Sequence, residues 1–533
     1  MNNTSDLHLK THSKIFLYFL LYTAFSCGSL IMVIEVLGSR VIGPFFGVSL
    51  FVWTSLISVA MISLALGYAI GGFFSDRRSS ADNLYWIITL AGVFVILIPL
   101  MKAPVLKMSM GLGLRGGAFF SSLILFGPSL LLLGCVSPYL IKIVAREVSN
   151  IGRTVGSFYA VSTIGSVFGT AITGFFLIAY LSVSHIFFLV GSLLISTAVI
   201  YFVFFRGQKA FLMFLILLLG LLFLNDEKVV AKQMDNGTMV RLIDQKSSYY
   251  GDIKVVDYSY GLKHHRELII DGLVQGGVDM VSGLPFYPYA YLLTHLPLQI
   301  YPEGKNALVI GLGAGIIPRW MEAKGVISDV VDIDSDVVEM AKKHFSFKNR
   351  GEVIIEDARY FLGHNQKQYD YIILDVFNGD TTPGHIISKE AFQLIKKNLS
   401  PRGVLGINLV SKITGDNFIS ASVIHTLRAV FENVVVYPNF DPQVTKEGNI
   451  TIIAYNGAPV SVDKATFDSI PVHPFAIKGV RNFSKNIFSF NEKDYPSMML
   501  RDDFNPMDCF DIDLKENVRR DILKSTDWDI LLN

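Results

Sequence analysis

The chain has 533 residues with 51% hydrophobic and 17% charged side chains and a mean hydropathy of +0.45. A length of more than about 200 residues and a charge content well under the roughly 25% of soluble chains exclude a single soluble domain. The 46 basic and 45 acidic residues leave a net charge of +1, which lacks the basic footprint that phosphate-backbone binding needs and excludes nucleic acid as the expected partner.

The charge is unevenly spread: only about fifteen charged side chains lie between Ile15 and Asn225. A helix needs about 20 apolar residues to cross a hydrocarbon core of roughly 30 Å. Candidate spans run over 15–38, 48–74, 84–103, 117–143, 154–180, 184–205 and 210–225, giving residues 1–225 as a multi-pass bundle of about seven spans. The first span follows Lys10 and Lys14 but carries no small-residue cleavage site, so it reads as an anchor and not a removed signal peptide. Small residues recur in "ALGYAIGGFF" and "GSFYAVSTIGSVFGTAITGFF", the composition that lets helix backbones approach closely. "GYAIGGFFSDRR" resembles the short cytoplasmic loop motif of major-facilitator transporters. Glu35 and His185 are the ionisable residues inside the spans, and such residues are functional candidates by default. Cys27, Cys135 and Cys509 form no CxxC pair, so neither a metal site nor a disulfide framework is expected.

Arg77, Arg78, Lys142, Arg146, Arg153, Arg206 and Lys209 fall on the side of the N-terminus, against Arg40, Lys102, Lys107 and Arg115 opposite. This slight bias makes the N-terminus cytoplasmic. Seven crossings would then place the second half outside, away from an adenosyl ligand. The ligand argument below outweighs the near-even charge count, and the second half is expected in the cytoplasm of a chain held in the cell (inner) membrane.

Residues 226–300 carry short β-rich runs, "KVVAKQM", "MVRLIDQ", "DIKVVDYSY" and "RELIIDG", that predict a small antiparallel sheet. From Asn306 the order becomes strand, glycine turn, helix, strand over 301–457, which predicts a doubly wound α/β sheet. Such sheets bind ligands beyond the carboxyl ends of their strands. Residues 458–533 form a C-terminal extension.

Gly311, Gly313 and Gly315 follow the strand "ALVI" and open a helix, where a missing Cβ allows a sharp turn and close ligand approach. Asp332 and Asp334 end the next strand, about 20 residues on, where a carboxylate can accept ribose hydroxyls. Asp357 ends the third strand and Asp375 the fourth. A pyrophosphate would not be met by these last two acids, and there is no GKS or GKT loop. A cationic sulfonium and an amine would suit them, which argues for an S-adenosyl ligand.

Over about Gln245 to Tyr455 the sequence resembles the spermidine synthases, or polyamine aminopropyltransferases, in the form fused to membrane helices. The likeness lies in "SYYGDIKVVD", "LIIDGLVQ", "YLLTHLPL", "VIGLGAG", "VVDIDSDVVEMAKKHF", "EDARYFL" and "YDYIILDVFN", in the family's order, and in "DDFNPMD" near the C-terminus. The resemblance implies a Rossmann-like methyltransferase fold behind a small β-rich subdomain. It implies donor contacts from the glycine loop, Asp332 at the ribose, and Asp357 with Ala358 at the adenine. Asp375 would be the general base, and Gln275, Tyr289 and Asn378 would line the amine site. The implied reaction moves an aminopropyl group from decarboxylated S-adenosylmethionine, a co-substrate rather than a bound cofactor, to putrescine or a related diamine. The implied partners are the bilayer and the diamine, with homo-oligomerisation left open.

The departures concern the amine. The glycine-loop acid is Ala314, the second acid after the base is Asn378, the glutamine of the entry strand is Gly251, and the Gln-Glu pair after Tyr289 is Ala290 and Tyr291. Asp380 and His385 lie close by as substitutes. An S-adenosylmethionine-dependent methyltransferase, and a non-catalytic adenosyl- or polyamine-binding transport or sensor protein, are the alternative readings.

Overall fold

The computed structural model describes residues 14–47, 50–145, 151–208, 230–377, 382–415, 417–490, 495–509, 516–520 and 530. The chain divides into two compact units, Met1–Glu227 and Lys228–Asn533.

The first unit consists of long apolar helices: α1 (Lys14–Phe46), α2 (Leu50–Arg77), α3 (Ala81–Ser109), α4 (Gly113–Ala145), α5 (Ile151–Ile172) and α6 (Val183–Phe204). Among the described residues five helical segments are long and apolar enough to cross a membrane, and the third of these, Ala81–Val144, has 64 residues. At 1.5 Å per residue it exceeds a bilayer core about threefold. It is broken at Met110–Leu112, where Gly113 takes φ +73°, into α3 and α4, each long enough to cross once. Residues 210–225, the seventh expected span, lie outside the described residues.

Small residues set the packing. A Cβ on Gly165 of α5 would sit 2.2 Å from the Phe25 carbonyl oxygen of α1, and one on Gly67 of α2 would sit 2.2 Å from that of Leu131 in α4. Only glycine permits these approaches, which exchange side-chain bulk for backbone contact between helices. One end of the bundle gathers the start of α1, the end of α2, the start of α3 and the ends of α4 and α6. There the rings of Phe16 and Phe205 lie 5.2 Å apart, Lys142 reaches Asp76 at 2.5 Å, and Arg206 pairs with Asp82. The basic residues assigned to one side by sequence, so far as they are described, therefore share that end. Glu35 is half-buried within α1, and His185 sits in the first turn of α6 against the Ser182 hydroxyl at 2.6 Å.

In the second unit β1 (Ala231–Gln233), β2 (Met239–Ser247), β3 (Asp252–Tyr260), β4 (Lys263–Ile270) and β5 (Leu273–Asp279) form an antiparallel sheet in sequence order. A larger sheet follows from β6 (Asn306–Ile310), β7 (Ile327–Asp332), β8 (Val353–Ile355), β9 (Tyr369–Leu374), β10 (Leu399–Lys412), β11 (Asn433–Pro438) and β12 (Glu447–Tyr455), in the order β11-β12-β10-β9-β6-β7-β8. Strands β8, β7, β6, β9 and β10 are parallel. The sequence pattern of a parallel sheet holds across these five, and β12 departs from it by inserting antiparallel between β10 and β11.

The parallel strands are apolar on both sides because helices cover both faces. One core joins α7 (Pro288–Ile300), α8 (Ile316–Ala323) and α9 (Ser335–His344) to the sheet. The other joins α10 (Ala358–His364), α11 (Lys389–Asn398) and α12 (Phe418–Arg428). Strand order reverses between β6 and β9, which opens a crevice at their carboxyl ends.

Candidate active site

That crevice is a cavity of about 290 Å³. The turn after β6 forms its floor. Gly311 has φ +86°, and a Cβ there would lie 2.1 Å from the Asp375 carbonyl oxygen. Gly313 has φ +52° and would meet the Gln275 carbonyl oxygen at 2.7 Å. Both positions require glycine twice over, for backbone conformation and for space. Gly315 caps α8 and faces the Phe347 ring, so it shapes the turn without lining the cavity.

Asp332 ends β7, and its carboxylate accepts hydrogen bonds from the backbone N–H of Leu312 at 2.8 Å and of Asp334 at 2.9 Å. Burial, with a contribution from the Asp334 charge, raises its pKa to about 6 against the pull of those two amides. The acid thus ties the glycine turn to the second strand and faces the cavity with it. Asp357 caps α10, accepting from the Tyr360 N–H at 2.9 Å, and its other oxygen lies 3.3 Å from His385 Nε2. Ala358 lines the wall beside it.

Asp375 follows β9 and lies half-buried against the floor. Its Oδ1 accepts from the Asn408 amide of β10 at 2.8 Å, and Asn408 in turn accepts from Asn449 of β12 at 3.0 Å. Burial raises the Asp375 pKa to about 6, and the Asn408 bond restrains the rise. Gln275 of β5 lines the same cavity. Tyr289, near the start of α7, is driven well above the ordinary tyrosine range, first by burial and then by the Asp375 charge. Asn378 and Asp380 lie outside the described residues.

The fold therefore brings Gly311, Gly313, Asp332, Asp357, Ala358, Asp375 and Gln275 to one cavity, with Tyr289 beside Asp375. Sequence reasoning missed Tyr250, Asp271 and Glu356, which also line it. Asp271 was legible as the Asp-Gly pair between β4 and β5, since it takes φ +47° in a two-residue hairpin turn that favours that pair. Asn408 was missed because it is a single polar residue in the apolar run "GVLGINLV".

The electrostatics are one-sided. Asp271, Asp332, Asp334, Glu356, Asp357 and Asp375 line the cavity, while among its described lining residues there is one histidine and no lysine or arginine. A wall so rich in carboxyls favours a cationic ligand and disfavours a phosphate.

Residues 287–461 match the spermine/spermidine synthase domain family. A polyamine aminopropyltransferase of Vibrio vulnificus is 30% identical over 233 residues, covering 42% of this chain and 74% of the relative. An N-terminal histidine N-methyltransferase of Emericella nidulans is 32% identical over 170 residues, 30% of each chain. This chain thus spans about three quarters of the first relative and less than a third of the second. A crystal structure of a probable spermidine synthase from Corynebacterium glutamicum aligns with a TM-score of 0.37 at 19% identity, covering 43% of this chain and 84% of that one.

Proposed function

We propose, from the premise that this chain belongs to the spermine/spermidine synthase family of polyamine aminopropyltransferases, that its cavity moves an aminopropyl group from decarboxylated S-adenosylmethionine to putrescine or a related diamine. The observation that carries this reading is the set of six carboxyls around a cavity without lysine or arginine among its described lining residues. Donor and acceptor are both cations, and this wall attracts both.

Each residue has a task in this scheme. The glycine turn lets the donor lie against backbone, Asp332 accepts its ribose hydroxyls, and Asp357 with Ala358 meets the adenine edge. An ammonium has no free electron pair, so the acceptor must lose a proton before or during attack. Asp375, with a pKa of about 6, is ionised at neutral pH yet basic enough to take that proton. The amine nitrogen forms a bond to the carbon beside the sulfonium, and the carbon–sulfur bond breaks with its electron pair passing to sulfur. Methylthioadenosine leaves as a neutral thioether. Holding both reactants in one acidic cleft supplies proximity as well as charge stabilisation.

The apolar helices would hold the chain in the cell membrane as a multi-pass protein, with the catalytic unit on the cytoplasmic side where the donor is available. The basic end of the bundle, with Arg77, Arg78, Lys142 and Arg206, would face the cytoplasm together with the N-terminus, an arrangement that requires an even number of crossings, as the six long described helices would supply without a seventh span. A reporter fused after Asn225 that works only outside the cytoplasm would overturn this orientation.

The chemistry is tested with the full chain in detergent, offered decarboxylated S-adenosylmethionine and putrescine. Methylthioadenosine should form, and Asp375→Asn should slow its release by at least about 100-fold, the scale of losing a general base. Formation of S-adenosylhomocysteine from S-adenosylmethionine, without aminopropyl transfer, would make the protein a methyltransferase instead.

A further inference from the structure

One end of the five-stranded sheet exposes apolar side chains on turns that line no part of the cavity. The β3–β4 hairpin closes through Gly261 and Leu262 between the paired residues Tyr260 and Lys263, with Gly261 at φ +58°. Leu262 is 96% exposed and Tyr260 59%. The β1–β2 turn lies on one side, where a Cβ on Gly237 would sit 3.2 Å from the Tyr260 ring. The turn after β5 lies on the other, with the Met280 N–H donating to the His264 carbonyl at 2.7 Å, and it leaves Val281 73% exposed. Phe475 is 75% exposed and belongs to the same end, because His473, two residues before it, meets the Asp279 carboxylate at 3.3 Å.

These side chains are held out by their surroundings. The Phe475 ring stacks on Phe286 at 4.6 Å, Phe286 on His265 at 4.6 Å and His265 on Tyr258 at 4.7 Å, so Phe475 is the outermost ring of a fixed stack. The Val281 and Ser282 N–H groups both donate to Asp279 Oδ1, at 2.8 and 2.7 Å, which fixes that turn. A two-residue hairpin turn favours Asn-Gly or Asp-Gly, and a leucine there adds nothing to the fold. Single exposed apolar residues are ordinary, but four gathered at one end of a sheet and fixed in place mark a contact surface. The exposed charged residues on the same segments are Lys232, Lys263 and Lys478 against Asp235, a surplus of cations that suits anionic headgroups. The chain itself brings such a surface. Its helices are long and apolar enough to cross a bilayer, and residues 228–230 alone lie between the end of that unit and β1. A tether this short presents lipid to the sheet at high effective concentration.

We propose that Tyr260, Leu262, Val281 and Phe475 form a docking surface for the anionic face of the bilayer that the helices cross. The aromatic and aliphatic side chains enter the headgroup boundary while the lysines meet lipid phosphates. The consequence for the active site is orientation. The turns that carry Tyr250 and Asp271 into the cavity lie at the other end of the sheet, and β3 spans nine residues, about 30 Å at 3.4 Å per residue. Docked by these tips, the catalytic unit keeps its cavity away from lipid and open to water-soluble reactants. The proposal rests on insertion of the helical unit and not on the transferase reading.

The test uses the full chain with Cys509→Ser, reconstituted in phosphatidylcholine vesicles containing about one quarter phosphatidylglycerol, an anionic surface of the kind basic segments bind. Leu262→Cys, Val281→Cys and Phe475→Cys, and Val444→Cys as an exposed control outside the patch, each carry a bimane label. Lipid bearing a nitroxide near the top of its acyl chain should quench the three tip labels at least about twofold and leave the control unchanged, the depth expected of an interfacial contact. Tip quenching should fall in vesicles of phosphatidylcholine alone. Leu262→Asp together with Phe475→Ser should return the Val281→Cys label to the control level. Equal quenching at all four positions, or none at the tips, in protein that floats with the vesicles after an alkaline wash would overturn the docking surface and leave the helical anchor standing. Protein removed by the wash would overturn the anchor and the proposal with it. Tip labels shielded from an aqueous quencher yet untouched by lipid nitroxide would mean that a second copy of the chain covers the surface, which also overturns it.

Discussion

Asn408 governs the proposed base more directly than any residue inside the cavity. Its amide donates to Asp375 and is itself oriented by Asn449, so it favours the ionised carboxylate and fixes where its free oxygen points. Replacing it with leucine keeps the volume and removes the donor. The Asp375 pKa, already raised to about 6 by burial, should then rise further, because the removed bond was lowering it. The acid limb of kcat/KM should move to higher pH by about one unit, the scale of a charge-assisted hydrogen bond. A pH–rate profile of Asn408→Leu checks this, and an acid limb that stays in place would show that Asn408 only packs.

At the scale of elements, the strand ends were the legible part of the site. Glycine and acid at the carboxyl ends of β6, β7, β9 and after β8 could be read because an α/β sheet places its ligands there. Asn408 could not be read as a site residue, since it is a lone polar side chain in an apolar run whose neighbours become known only when β10 meets β9 and β12. The C-terminal segment was legible as a motif but not as a contact. Asn505 donates its amide to the carbonyls of Gly384 at 2.8 Å and Ile387 at 2.9 Å. Asp502 accepts from Arg359 and Ser388, each at 2.5 Å. These bonds hold the turn that presents Pro383, His385 and Ile386 to the cavity. Asn505→Ala should remove two of them at a cost of about 1–3 kcal/mol, raise the donor KM several-fold and leave kcat nearly unchanged. Steady-state kinetics with varied donor separates this from a general loss of fold, which would lower the active fraction at unchanged KM.

For the whole molecule, the charged half brings acids whose pKa burial raises, Asp332, Asp334 and Asp375, to one cleft. Asp332 and Asp375, with pKa raised to about 6, and Glu267, raised to about 7, all bind protons more tightly folded than unfolded, where ordinary values are about 3.9 and 4.3. At these three acids the folded state holds more protons between about pH 4 and 7, which lowers stability as pH rises, whereas His265 and His295, whose pKa burial lowers to about 4, hold fewer and act in the opposite direction. The ion-paired acids Asp244, Asp257 and Asp329 have lowered values, so they titrate below this range and cannot offset the trend. The three acids cost on the order of 3–5 kcal/mol between pH 5 and pH 8 and the two histidines return a comparable amount, so the effect is expected locally, at the strands that carry the cleft acids. Amide hydrogen exchange of β6 and β9 in the intact chain, corrected for intrinsic rates, should show weaker protection at pH 8 than at pH 5. Adding a cationic adenosyl donor should restore protection more strongly at pH 8, because ionised carboxyls are the state it binds. Equal protection at both pH values would mean that the cleft acids are already compensated in the folded chain, and the electrostatic basis for selecting cations would fall with it.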